Sequence, residues 1–214
     1  MRKLLVTVTC VVAVSQGLPA LAGDDCYRNK SDNCVDEPAR ALPTSVEEYL
    51  KLREELGKTP QGGAALLAYA LLVRTSKKEL GEQLLVLALD RSRLGKGSTY
   101  KGYAIDGSTQ YLMQQLDKHP YCARSYADGS SPDNDYKVDP AAVGLKFRKQ
   151  TKYVGSIESG RYKVFLCSTG TDTCRPVTLV RNDQGLWKAR EFSTLVVGCR
   201  APKPEGKSEV KDEL

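Results

Sequence analysis

Ala64-Ala65-Leu66-Leu67-Ala68-Tyr69-Ala70-Leu71-Leu72-Val73 is apolar almost all round. A helix without a polar stripe has no face to give to water, so this run predicts a helix enclosed by the rest of the fold. Thr59-Pro60 marks its start, with Thr as the cap and Pro at the first helical position. Working outward, Ser76-Lys77-Lys78-Glu79 reads as a capping box opening a further helix through Leu80, Leu84, Leu85, Leu87 and Leu89. Two apolar helices on a short link predict an antiparallel pair. Upstream, Thr44-Ser45-Val46-Glu47-Glu48 offers a capping box in either of two registers, and Val46, Tyr49, Leu50, Arg53 and Leu56 recur at helical spacing, giving a helix over 45–57. Downstream, Ser108 is expected to cap a fourth helix from Thr109 to about Lys118, which Pro120 ends.

In the last third the period changes. Val143 to Arg148, Arg161 to Cys167, Arg175 to Arg181 and Trp187 to Phe192 alternate or run apolar over strand lengths, and Asn182-Asp183-Gln184-Gly185 supplies a turn. Val164, Leu166, Val177 or Leu179, and Trp187 are expected on the inner face. About four helices followed by an antiparallel sheet of about four strands make an α+β fold, with the cone of nuclear-transport-factor-like folds as its architectural analogue. Residues 95–108 carry glycines with Lys, Ser, Thr and Tyr and read as a loop; the phosphate-loop spacing is absent there, and no strand is read before it.

The chain opens Met1-Arg2-Lys3, runs apolar from Leu4 to Val14, and reaches Ala20-Leu21-Ala22. A basic start, a short apolar middle and an A-x-A site predict a signal peptide over 1–22, because the apolar run is far below the ~20 residues of a membrane span. Residues 23–43 read as a polar loop clipped by a disulfide, 44–200 as a single α+β domain, and 201–214 as a disordered charged tail without a large apolar group to bury. The last four residues, Lys211-Asp212-Glu213-Leu214, spell the lumenal retention address of the endoplasmic reticulum, and Asn29-Lys30-Ser31 is a glycosylation sequon. A secreted or periplasmic location is expected, or the endoplasmic reticulum lumen in a eukaryote.

Of seven cysteines, Cys10 leaves with the signal peptide. An even number remaining in an exported chain argues for bridges, and six cysteines allow fifteen connectivities. Spacing pairs Cys167 with Cys174 across a strand hairpin and Cys26 with Cys34 around a short polar loop, which leaves Cys122 with Cys199. No C-x-x-C is present to favour zinc. His119, the single histidine, stands close to Cys122 in sequence, whereas thiol catalysis usually joins distant segments.

The formal net charge of +6 falls by two without Arg2 and Lys3, and the bases are interspersed with acids, so nucleic acid is not an expected partner. The basic run Lys146 to Lys152 reads as the solvated face of a strand. Between Pro120 and Pro140 the chain is rich in Tyr, Asp, Ser and Gly, and Tyr121, Arg124, Tyr126 and Tyr136 are the candidate partner surface, since aromatic rings give contact area at low entropy cost. Asp128, Asp133 and Asp135 lack the glycine hinge and terminal Glu of a calcium loop. No catalytic, cofactor-binding or metal-binding set is assigned, and no cofactor is expected.

Arg175-Pro176-Val177-Thr178-Leu179, Gly185-Leu186-Trp187-Lys188 and Phe192-Ser193-Thr194-Leu195-Val196-Val197-Gly198, preceded by Ser125-Tyr126 and Tyr136, resemble a family of secreted bacterial proteins of unknown function over about residues 44 to 202. The resemblance implies a bacterial envelope or extracellular location and an α+β fold, and brings no activity or site. The expected role is a non-enzymatic binding or structural module with an unknown envelope or extracellular partner. The alternatives are a carboxylate-based hydrolase of the cell envelope, given plentiful Asp and Glu and one His, and a secreted host-directed factor using the C-terminal tetrapeptide.

Overall fold

The computed structural model describes residues 26–27, 33–149 and 152–204. The signal segment 1–22 with Cys10, the sequon at Asn29 and the terminal Lys211 to Leu214 lie outside the described residues.

The apolar run lies within a helix, α2 (Pro60–Arg74), whose residues Gly62 to Arg74 are all buried. Thr59 caps it, its hydroxyl accepting from the Gly62 amide at 3.0 Å, and Pro60 occupies the first turn. On one side α2 meets α1 (Val46–Leu56) and α3 (Lys78–Ala88); on the other it meets the sheet. That enclosure is why no polar stripe exists. At the start of α1 both capping registers are used at once. The Glu48 amide donates to Ser45 Oγ, while the Glu48 carboxylate accepts from the amide and hydroxyl of Thr44 at 2.7 and 2.9 Å. These bonds, the Thr44 amide first, hold the Glu48 carboxyl below its ordinary pKa.

Close approach decides two glycines. A methyl group on Gly81 of α3 would sit 2.3 Å from Arg74 Cα, and one on Gly63 would sit 2.7 Å from the Trp187 carbonyl oxygen. Only a bare backbone lets α2 lie this near both layers.

The sheet is antiparallel and six-stranded, in the order β1-β4-β6-β7-β8, with the short β5 paired to β6. Its members are β1 (Cys34–Arg40), β4 (Val143–Arg148), β5 (Gly155–Ser156), β6 (Arg161–Leu166), β7 (Arg175–Arg181) and β8 (Trp187–Glu191). Facing α2, the strands contribute Leu145, Phe147, Leu166, Val177, Leu179, Trp187 and Ala189, all buried. Both Val177 and Leu179 are therefore inward, and Val164 is only partly buried.

Four readings of the sequence need correction. Residues 23–43 are not wholly loop, because Cys34–Arg40 pairs with β4 as an edge strand; Pro38 hides it, and the pairing slips between Glu37 and Arg40, where a residue without an amide hydrogen is tolerated. Residues 95–108 hold a hairpin, β2 (Leu94–Tyr100) with β3 (Tyr103–Ile105), turned by Lys101 and Gly102 at positive φ. Ser76 does not cap α3, whose N-cap Lys77 makes no side-chain bond; the Ser76 hydroxyl instead donates to the Val73 carbonyl of α2 at 3.3 Å. Asp106, not Ser108, caps α4 (Gly107–Lys118), accepting from the Thr109 amide at 2.7 Å, and Ser108 donates to that carboxylate.

Helices α2, α3 and α4 are tied at one point. Arg74, 5% exposed, grips Asp117 of α4 with both terminal nitrogens of its guanidinium and reaches Glu82 of α3 at 3.3 Å. Lys78 adds a second cation on Asp117 at 2.9 Å. The Arg74 bond, ahead of Lys78, holds the Asp117 carboxyl below the usual range.

Candidate functional site

Folding buries two of the four residues of the expected partner surface. Tyr126 and Tyr136 are 1% and 0% exposed, so neither offers its ring to a partner. Tyr136 stacks on Tyr121 with centroids 5.9 Å apart and donates its hydroxyl to the Arg200 carbonyl at 2.8 Å. Burial raises the Tyr126 hydroxyl far above its ordinary pKa. Tyr121 and Arg124 lie half-buried in α5 (Tyr121–Arg124), and Tyr121 bonds His119 Nδ1 at 3.1 Å. Beside them Cys122 is bonded to Cys199. Asp128 and Asp133 are paired with Lys146 and Lys203 at 3.3 and 2.6 Å. Lys146 also meets Asp36 at 3.2 Å on the outer face of β4.

Three disulfides join Cys26 to Cys34, Cys122 to Cys199 and Cys167 to Cys174. The Cys122 bridge leaves no thiol for His119 to activate.

The feature best formed to receive a ligand is a cleft of about 730 Å³ at the β1 edge of the sheet. Small-molecule sites typically hold about 300–1,000 Å³. One wall is the inner face of the sheet, with Val35 of β1, Phe147 of β4, and Tyr162 and Val164 of β6. The other is the turn from α1 to α2, with Leu56, Pro60 and Gln61. Alternation along β1 sends Val35 and Glu37 inward and leaves Asp36 and Pro38 exposed. Ile157, 48% exposed beside β5, stands at the mouth.

Glu37 brings a carboxylate into this apolar setting at 9% exposure. Gln61 Nε2 donates to it at 3.4 Å, and Arg40 Nε lies 3.7 Å away. The same guanidinium pairs with Glu55, also on the cleft, at 2.8 Å. Nearby on α2, the Tyr69 hydroxyl is buried with no hydrogen-bond partner among the described residues; burial, and then the Glu37 charge, push its pKa up to about 12.

A smaller cavity of about 290 Å³ is lined by Leu87, Tyr100, Tyr103 and Lys188. Burial, and then the charge of Arg53, lower the Lys188 ammonium to about 8. Its Nζ donates to the Leu87 carbonyl in the last turn of α3, so this lysine closes a helix end.

Residues 41–203 match the model of a family described as a domain of unknown function, DUF6935. No curated protein and no solved structure shows significant similarity to the chain.

Proposed function

The chain belongs to the DUF6935 family, whose description carries no activity, and we propose that it is a non-catalytic binding module of an oxidising compartment, holding a small amphipathic ligand in the cleft between β1 and the α1–α2 turn. The observation that carries this reading is the cleft itself: an apolar pocket with a few polar groups at one end is the general form of a small-molecule site. Val35, Phe147, Val164, Leu56 and Pro60 receive the apolar body. Glu37 and Gln61 orient the head, and Arg148 and Lys149 stand at the rim. The compartment is secreted or periplasmic, which accords with three disulfides outside the reducing cytosol.

A hydrolase built on Glu37 and Glu55 is the rival. Arg40 contacts both carboxylates, occupying the position that such an enzyme keeps for water and the bond to be cut. Their arrangement suits a charge-balanced wall better than an acid and base pair.

N-phenyl-1-naphthylamine, an apolar dye with one N–H to donate to Glu37, tests the reading. The folded protein is expected to bind one equivalent with enhanced fluorescence, and Val164→Trp, which fills the cleft, should weaken binding at least about tenfold, a loss of ~1.4 kcal/mol. Equal binding to both proteins would refute it.

A further inference from the structure

The sulfurs of Cys26, Cys167 and Cys174 all lie within 4.8 Å of one another. Cys26 is bonded to Cys34 and Cys167 to Cys174, so two disulfides adjoin in a small cluster with Tyr27 and Phe165, separate from the main core. Their accessibility differs. Cys167 and Cys174 are 0% and 3% exposed and Cys26 is 7% exposed, whereas Cys34 is only half-buried. A thiol arriving from solvent meets Cys34 first.

We propose that these four cysteines form one thiol–disulfide exchange site, in which a small dithiol entering at Cys34 opens the buried Cys167–Cys174 bond by way of Cys26. In the first step the external thiolate bonds Cys34 Sγ, the Cys26–Cys34 bond breaks, and Cys26 leaves as a thiolate. Cys26 then bonds Cys167 or Cys174, and the other sulfur of that pair leaves as a thiolate and takes a proton from water. The second thiol of the dithiol resolves the mixed disulfide on Cys34. One dithiol is oxidised to its disulfide, two protein disulfides become one, and two protein thiols appear. Exchange of this kind requires an attacking thiolate beside a disulfide sulfur, which the packing supplies.

The attacking residue stays in place when its bond to Cys34 opens. Its neighbour Tyr27 donates its hydroxyl to the Tyr126 carbonyl at 3.4 Å and lies under the Lys146 ammonium, 5.7 Å from the ring centre. Exchange would therefore move the tether of the N-terminal segment from β1 to the β6–β7 hairpin. Strand β1, which carries Val35 and Glu37, would lose its covalent anchor.

The test treats the oxidised full chain with less than one equivalent of dithiothreitol, quenches with acid, alkylates free thiols and maps disulfide-linked peptides without reduction. A peptide joining Cys26 to Cys167 or Cys174, with Cys34 alkylated and Cys122–Cys199 intact, is the expected result. An opened Cys26–Cys34 pair with Cys26 alkylated and Cys167–Cys174 intact would overturn the proposal, as would loss of Cys167–Cys174 while Cys26–Cys34 survives. Cys34→Ser, which leaves Cys26 free from the start, should show the same crossed bond at equilibrium. If that variant does not fold, as judged by Trp187 fluorescence, partial reduction of the native chain decides.

Discussion

At the scale of single residues, the strongest constraints lie where charge or backbone is buried. Arg74 is enclosed, whereas Asp117 and Glu82 keep 39% and 31% side-chain exposure and Asp117 retains Lys78, so deleting Arg74 removes charge-assisted hydrogen bonds worth about 1.5–3 kcal/mol without stranding a buried charge. Arg74→Ala is expected to lower the urea unfolding free energy by that amount, and a loss below ~1 kcal/mol would show that the cluster is not a tie. Gly81→Ala forces a methyl group into the Arg74 backbone and should cost about 3 kcal/mol, at the upper end for overpacking. Lys188 behaves oppositely to a paired base. Its folded pKa of about 8 lies below the ~10.4 of a free lysine, so between those values the unfolded chain holds more protons and stability rises with pH. The destabilisation is fully present below pH 8. Urea unfolding should show a gain on the order of 3 kcal/mol from pH 7 to 10, and Lys188→Met should flatten that rise. An unchanged slope in the variant would rule out Lys188 as its source.

At the scale of elements, what the sequence reveals depends on whether each element announces itself locally. Helix α2 does, through a run of apolar residues and the Thr59-Pro60 start. Helix α3 does through its apolar spacing, although its cap does not: Ser76 has the right identity, but only three residues join α2 to α3, and its hydroxyl turns back to Val73. Thermal unfolding separates the two serine and threonine roles. Thr59→Ala should lose about 1 kcal/mol as a lost N-cap, and Ser76→Ala much less; equal losses would contradict the observed bonding. Strand β1 is hidden because an edge strand needs only one bonded side and tolerates Pro38 among charged residues. Val35 is followed by Asp36, Glu37 and Pro38, so no apolar alternation marks the strand. The β2–β3 hairpin is hidden by its glycines. The cleft therefore could not be read from the sequence, since one wall belongs to the strand that looks like a loop and the other to a turn between helices.

At the scale of the whole molecule, the α+β class follows from the change of period between the halves, and the six-stranded antiparallel sheet bears out the class while exceeding the expected four strands. The tyrosines of the 120–140 segment are legible as residues but not as a surface, because their burial is set by tertiary contacts, Tyr136 with Tyr121 and the Arg200 carbonyl, beside the Cys122–Cys199 bridge. That bridge spans a sequence separation of 77, and chain-entropy arguments assign such a loop about 4.5 kcal/mol. Replacing both cysteines with serine should lower the unfolding free energy by roughly that amount and leave the bound dye unaffected under native conditions. Loss of dye binding in a still-folded variant would place the site near Cys122 instead.

The most direct measurement of the binding role is an amide NMR titration of the oxidised protein with a single-chain amphiphile held below its micelle concentration. Shifts concentrated on Val35, Glu37, Gln61, Phe147 and Val164 and saturating at one equivalent are the result expected of a ligand cleft. Shifts centred on Tyr121 and Arg124, or none at saturating amphiphile, would contradict it.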